Sequence, residues 1–487
     1  MKEQKRRKNV HSDILENKEK GLRNKETNII SFVFVGLFFI MIGYLIYFNI
    51  ADAPNVINNS YNHRIDNQEK KVIRGDITAS DGTVIATTQV DEDGNTTRVY
   101  PFDNLYCHVL GLSGEVKSGL ENSENFYLLS GTDNVIEMLS NDISGDKAMG
   151  NTVVTTLVPG LQQVANEALG NNKGAVVAME PSTGKILAMV SKPDYNPNAA
   201  TEEYEEWLTY DTADSVLLNR ATQGLYPPGS TFKIITALEY IREYPDYTSY
   251  SYQCGGSAYV EGGTKIPCFN NTVHGQETLK DAFANSCNSA FSTMGLSLNK
   301  AAFRNLCNTF MFNSNLPIGI EYSSSSFTLD ENSGISEVQE TSIGQGKTMV
   351  SPIHNLMIAA TVANNGVMMS PYLVDRIQSE SGSIVKLNEP SVAADVMTAG
   401  EASVLKQYMR AVVTNGTGYS FRYASYDAAG KTGSAQYDDS DKYHSWFVGF
   451  APVDNPEIAI CVILEGGYSG VSSAQVTAKA VLDEYFK

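Results

Sequence analysis

Residues 222–241 read TQGLYPPGSTFKIITALEYI, and this stretch decides how the rest of the chain is read. Pro227-Pro228-Gly229 cannot sit inside a helix, because proline lacks the amide N–H and its ring clashes with the preceding turn. From Ser230 onward, Phe232, Ile235, Leu238 and Ile241 recur at helical spacing. Ser230 therefore lies at or near a helix N-terminus. Lys233, three residues on, lies one turn away on the same face. A serine hydroxyl is a poor nucleophile until a base takes its proton. A lysine buried beside it can be that base, because desolvation lowers its pKa. The positive end of the helix favours charge developing on an oxyanion. The same four residues also describe an N-cap serine with a solvated lysine, and Ser-x-x-Lys alone does not separate the two readings.

Two further stretches do separate them. DAFANSCNSAF (281–291) contains Ser286-Cys287-Asn288, and AAGKTGSAQY (428–437) contains Lys431-Thr432-Gly433-Ser434. On a strand, Lys-Thr-Gly sets an ammonium and hydroxyls along one edge, fit to hold a carboxylate. Gly433 admits close approach of a ligand backbone. Taken singly, Ser-x-Asn is a loop or cap and Lys-Thr-Gly a turn. Together they follow in the order S-x-x-K, S-x-N, K-T-G, with separations of 56 and 145 residues. That combination resembles the penicillin-binding proteins and serine β-lactamases. The flanks resemble the same superfamily: NRATQGLYPPGSTFK (219–233), HGQETLKDAFANSCN (274–288), IGQGKTMVSPIHNLMIAATVANNG (343–366) and HSWFVGFAP (444–452).

The resemblance covers about 151–487. It implies an α+β (α/β/α) transpeptidase domain, an antiparallel sheet with helices on both faces. The residue patterns agree. GAVVAMEPSTGKILAMVS (174–191) reads as a hairpin around Pro181-Ser182-Thr183-Gly184, and 444–464 as two strands around Asp454-Asn455-Pro456. Residues 159–169 and 472–487 read as helices, and 151–157 as a strand. The helical stretch after Pro352 reads as core. His444 is a packing or hydrogen-bonding residue rather than part of a triad, since Lys233 already supplies a base. The acid pairs Glu202-Glu203 and Asp438-Asp439 read as solvated.

Upstream, short strand-like runs alternate with turns from Val72 to about Asp146. IRGDITASDGTVIA (73–86) and RVYPFDNLYCHVLGL (98–112) resemble the membrane-proximal pedestal of class B penicillin-binding proteins. About a hundred residues there leave no room for a glycosyltransferase domain, which disfavours the bifunctional class A. Residues 29–50, IISFVFVGLFFIMIGYLIYFNI, carry no charge. As a helix they span about 33 Å, enough to cross the hydrocarbon core. Tyr44 and Tyr47 lie towards the far end, where aromatic rings suit the interface. The run exceeds a signal peptide's apolar region, although Ala51-Asp52-Ala53 would permit cleavage.

Charge supports that topology. Residues 1–27 hold nine Lys/Arg and five acids, a net +4, while the whole chain is −19. Basic residues before the helix place the N-terminus in the cytoplasm. The expected organisation is a cytoplasmic tail (1–27), an anchor (28–50), a pedestal domain (51–150) and the transpeptidase domain (151–487). The acidic body disfavours nucleic acid as partner. Six cysteines show no C-x-x-C and no metal-type Cys/His spacing. Cys254 and Cys268 flank a Gly-rich stretch and either pair in an oxidising compartment or remain thiols.

The resemblance then implies the chemistry. Ser230 attacks the penultimate D-Ala carbonyl of a peptidoglycan stem peptide and Lys233 accepts its proton. Ser286 passes a proton to the leaving D-Ala. Asn288 holds the substrate backbone, Lys431, Thr432 and Ser434 bind the terminal carboxylate, and Gly433 completes the substrate-binding set by letting the backbone approach the ligand. Backbone N–H groups of Ser230 and Ser434 form the oxyanion hole. A neighbouring stem's amine completes the cross-link, with water giving a carboxypeptidase side reaction. β-Lactam antibiotics acylate the same serine, and no metal or cofactor is required. By analogy, an integral-membrane glycan polymerase is a partner. A β-lactamase needs a deacylating glutamate, and Glu321 in GIEYSSSS lacks the context. A β-lactam sensor would need a signalling domain, and a silent scaffold would be expected to have lost a motif residue.

Overall fold

The computed structural model describes residues 2–48, 72–114, 116–131, 147–210, 214–436, 443–466 and 473–487. Residues 51–71 and the acid pair Asp438-Asp439 lie outside them. The chain forms two compact units, Met1–Asp66 and Asn67–Lys487. In the first, one α-helix runs Lys2–Tyr47, and its part Thr27–Tyr47 is long and apolar enough to cross a membrane. The basic segment before it is helical too.

The core of the second unit is a five-stranded sheet. Its strands are β1 (Gly174–Met179), β2 (Ile186–Lys192), β3 (Ala429–Gln436), β4 (Tyr443–Ala451) and β5 (Ile458–Leu464). They lie in the order β3-β4-β5-β1-β2, every neighbouring pair antiparallel. Strand residues alternate between faces, and the two faces enter different cores. Val176, Ala178, Ile460 and Val462 pack against Leu161 and Ala165 of helix Pro159–Leu169 and Ala478 and Val481 of helix Ala474–Tyr485. Val177, Met179, Cys461 and Ile463 pack against Ile353, Leu356 and Met357 of helix Pro352–Ala363. With both faces covered, β5 is buried at every position and carries no polar alternation. Every residue of helix Pro352–Ala363 is buried as well, as its reading as core requires. The exposed side chains of Glu202 and Glu203 agree with their reading as solvated.

The region from Val72 onward is less strand-like than its sequence reads. Strands occur at Val72–Ile73, Ile77–Thr78, Val84–Val90 and Thr96–Val99, but helical turns follow at Asp103–Tyr106, Cys107–Leu110, Gly119–Ser123 and Asn125–Leu128. Leu105, Tyr106, Val109 and Leu110 are buried at one-turn spacing, which favours helix over strand there. The sheet is also shared along the chain. Its six strands run in the order Ile384–Leu387, Val374–Gln378, Thr152–Thr155, Ile77–Thr78, Val84–Val90, Thr96–Val99. Val153 pairs with Ile77 in parallel and with Ile377 antiparallel. Position 150 thus falls within one continuous packed body.

A buried ion cluster holds this region. Arg74 and Arg98, one from each of the two pedestal-like stretches, bind the two oxygens of fully buried Glu121 at 2.6 and 2.7 Å. Burial alone would push that carboxyl up, but the two guanidiniums outweigh it and hold it below the ordinary glutamate range.

Candidate active site

The turn that carries Ser230 is seated by glycine. A 3₁₀ turn, Gly229–Phe232, leads into the α-helix Lys233–Glu243. Gly229 has φ +54°, and a Cβ there would come within 2.8 Å of the Ser434 carbonyl oxygen. The Gly229 N–H donates to the Gly344 carbonyl at 2.8 Å, and the Trp446 indole N–H to the Pro227 carbonyl at 3.0 Å. The turn is therefore pressed against β3. Gly433 serves the same contact: a Cβ there would meet Trp446 at 3.0 Å and Thr231 at 3.2 Å. Its small size lets the strand lie on the turn before Ser230, a different use from the ligand approach that its place in the motif suggests.

Ser286 sits at a strained position. The short helix Leu279–Ala284 starts with a Thr278/Asp281 capping box. It ends with Cys287 N–H donating to the Ala282 carbonyl (2.9 Å) and Ser286 N–H to the Phe283 carbonyl (3.2 Å). That is the closure usually made by glycine in the left-handed region, and Ser286 occupies it with φ +58°. A side chain there costs about 1 kcal/mol, tolerated because the hydroxyl is placed between two lysines. Ser286→Gly should consequently be about 1 kcal/mol more stable than Ser286→Ala, both lacking the hydroxyl. Denaturant unfolding of the two full-length variants checks this; equal stabilities would remove the strain argument.

Lys233 and Lys431 are fully buried, and both reach that hydroxyl. Lys233 Nζ donates to the Ser286 carbonyl (2.7 Å), Asn288 Oδ1 (2.7 Å) and Ser286 Oγ (3.3 Å). Lys431 Nζ donates to Ser286 Oγ (2.9 Å) and the Thr432 carbonyl (3.1 Å). Burial pushes Lys233 down to about 8, with Cys287, Cys268 and Glu277 opposing the shift. Burial, then the charge of Lys233, pushes Lys431 well below the usual lysine range. An ammonium has three N–H donors, and Lys233 has three acceptors. Losing its proton frees a lone pair and the longest of those bonds, the one to Ser286 Oγ.

The cleft above this pair has a volume of ≈ 1410 Å³ and is walled by Ser230, Ser286, Asn288, Thr432, Gly433 and Ser434. It exceeds an ordinary drug-sized pocket of about 300–1,000 Å³. Strand alternation turns Thr432 and Ser434 towards the cleft and Lys431 inward. The ammonium expected along the exposed edge lies beneath it. β3 is an edge strand, so its outer backbone groups are open to an added strand. Among the described residues the Ser230 hydroxyl has no hydrogen bond, and Lys233 reaches Ser286 and Asn288 instead of it. All eight motif residues nevertheless converge on this cleft or its floor.

Some neighbours carry no signal in the sequence. Thr417 lines the cleft and its hydroxyl meets that of Thr432 at 2.6 Å; Asn-Gly-Thr-Gly at 415–418 marks only a turn. Glu321 accepts from Gly119 N–H (3.0 Å) and Asn122 (3.3 Å), engaged away from the nucleophile. His444 is buried and edge-on to Tyr226 (5.2 Å), accepting from Gly466 N–H at 3.4 Å. The six cysteines are free thiols. Cys254 and Cys268, read as a pair or as separate thiols, converge with Cys287 and His274.

Comparison with known proteins agrees with this geometry. Residues 174–483 match the penicillin binding protein transpeptidase domain, and residues 74–153 the penicillin binding protein A dimerisation domain. The chain is 32% identical to the peptidoglycan D,D-transpeptidase PbpA of Mycolicibacterium smegmatis, over 85% of this chain and 88% of that one. It is 31% identical to the peptidoglycan D,D-transpeptidase MrdA of Acinetobacter baumannii, over 80% and 66%. The imipenem acyl-enzyme complex of penicillin-binding protein A from M. tuberculosis superposes with a TM-score of 0.78 at 28% identity, covering 86% of this chain and all of that one. Motif order, cleft and both family matches lead to one conclusion: this chain belongs to the penicillin-binding protein transpeptidase family.

Proposed function

We infer that this chain is a serine-type peptidoglycan D,D-transpeptidase that cross-links stem peptides through an acyl-enzyme and is inhibited by β-lactams. The observation that carries the mechanism is the Ser286 hydroxyl held between Lys233 and Lys431 at the floor of a cleft that also exposes Ser230. Neutral Lys233 takes the Ser230 proton as Oγ bonds to the penultimate D-Ala carbonyl carbon. Backbone N–H groups of Ser230 and Ser434 receive the oxyanion, each such donor being worth about 3 kcal/mol. The C–N bond breaks and the departing D-Ala amine takes a proton through Ser286. The amine of a second stem peptide then attacks the ester, and Ser230 is regenerated. Thr432 and Ser434, with Lys431 beneath them, bind the terminal carboxylate. Gly433 keeps the strand close, and Asn288 holds the donor backbone.

The helix Thr27–Tyr47 anchors the chain in the cytoplasmic membrane with the basic tail 1–27 inside. The pedestal (51–150) and transpeptidase domain (151–487) lie outside, where an integral-membrane glycan polymerase supplies the strands. The full-length protein in detergent, given uncross-linked glycan carrying D-Ala-D-Ala stems, should release D-Ala and form cross-linked dimers. Penicillin should suppress both. Release of D-Ala without any dimer, measured by mass spectrometry of the digested glycan, would reduce the enzyme to a carboxypeptidase.

A further inference from the structure

We propose that the side-chain amide of Gln345 occupies the far end of the substrate track on β3 and is displaced by a stem peptide long enough to reach it, which makes Gln345 a specificity residue for stem length. The inference rests on the transpeptidase reading above.

Gln345 is placed by its neighbours. Gly344 (φ +76°) and Gly346 (φ +74°) flank it, both in the left-handed region. Gly344 N–H donates to the Thr341 carbonyl at 2.8 Å and Gln345 N–H to the Glu340 carbonyl at 2.9 Å, which ties the loop to the helix Ile335–Ser342. On its other side the Gly344 carbonyl accepts from Gly229 N–H at 2.8 Å, and a Cβ at Gly344 would lie 2.0 Å from the Gly229 carbonyl oxygen. Only glycine admits that approach to the Ser230 turn. Gln345 is thereby held against the end of β3, and Gln345 and Gln436 both line the cleft.

The contact it makes there imitates a neighbouring strand. A primary amide carries both donors and an acceptor. With its amide oriented to pair donor with acceptor, Gln345 Nε2 donates to the Gln436 carbonyl at 3.3 Å and Oε1 accepts from the Gln436 N–H at 3.2 Å. In an antiparallel ladder both backbone groups of a residue face one side, and the side alternates along the strand. Those of Gln436 face the free edge of β3, away from β4, so those of Ser434 and Thr432 face it too. This parity suits the proposed oxyanion role of the Ser434 N–H.

Length then decides which ligands meet Gln345. A strand added antiparallel to β3 meets that edge in steps of two residues. With the penultimate D-Ala opposite Ser434 and the terminal carboxylate towards Thr432, the residue two before that D-Ala stands opposite Gln436. Its carbonyl takes the Gln436 N–H that Gln345 otherwise holds. Acetyl-D-Ala-D-Ala ends before that position and leaves Gln345 in place. In the empty cleft the Gln345 amide satisfies an edge that would otherwise be open to any extended peptide.

Labelling of the full-length protein by a fluorescent penicillin can be timed against rising acetyl-D-Ala-D-Ala and against a five-residue stem peptide ending in D-Ala-D-Ala. In Gln345→Ala the half-slowing concentration of the five-residue peptide should fall about 3–10-fold relative to that of acetyl-D-Ala-D-Ala, the worth of one hydrogen bond. Both peptides are read on the same protein, so the ratio is independent of any change in the penicillin reaction. Amide hydrogen exchange at Gln436 should quicken in the empty variant and slow again when the five-residue peptide is added. An equal shift for both peptides, or a weaker hold on the five-residue one, would overturn the proposal alone. So would exchange at Gln436 that the substitution leaves unchanged. Labelling that neither peptide slows would overturn the transpeptidase reading, and the proposal with it.

Discussion

Ser230→Ala should abolish covalent labelling of the full-length protein by a fluorescent penicillin, while the wild type should label once per chain and keep the label. On the proposed mechanism a bond forms from Ser230 Oγ to the lactam carbonyl carbon, the ring C–N bond breaks and its nitrogen takes the proton. Alanine leaves no atom to form that bond. Removing a catalytic serine typically lowers turnover by about 10⁶-fold, and no covalent adduct remains possible at that position. The substitution is mild for the fold, because the Ser230 hydroxyl has no hydrogen bond among the described residues. Its unfolding free energy should stay within about 0.5 kcal/mol of wild type, so that loss of label cannot be blamed on unfolding. Gel fluorescence after denaturation gives the readout. Label surviving on Ser230→Ala would move the nucleophile elsewhere; label lost from the wild type within its own formation time would mark a hydrolase of β-lactams.

Lys233→Met should slow that acylation by about 10²–10⁴-fold, the range a positioned general base contributes. The pH profile separates a base from a structural residue. Only the neutral amine accepts the Ser230 proton, and burial places its pKa at about 8. The wild-type acylation rate constant should therefore rise about tenfold per pH unit below that value and flatten above it. Lys431 is the neighbouring amine, and Lys431 and Lys233 reach the same Ser286 hydroxyl. A neutral residue at 233 should abolish the inflection as well as the rate. If Lys233→Met kept the inflection near pH 8, the base would have to be another group, Lys431 first among them.

Much of this fold is legible in the residues themselves. Phe232, Ile235 and Leu238 mark a helix behind Pro227-Pro228-Gly229, and the helix is there. The two hairpins around 181–184 and 454–456 form with antiparallel pairing. These features are local: a proline, a turn or a periodic apolar face acts within a few residues. Between 103 and 128 the strand-like pattern misleads. Short apolar runs there are compatible with either strand or helix, and burial of Leu105, Val109 and Leu110 on one side decided for helix.

The order of the three motifs, the apolar N-terminal helix and the choice of candidate nucleophile followed from the sequence alone. They rest on residue type and spacing along the backbone. Tertiary packing alone decided that Lys431 turns inward beneath Ser286, that Gly433 serves the Ser230 turn, and that Thr152–Thr155 and Val374–Gln378 complete the sheet begun at Ile77. It alone brought Cys254, Cys268, His274 and Cys287 together. The reason is physical: pattern along a chain selects which face of an element is buried, whereas the partner met across that face is set by how the elements stack.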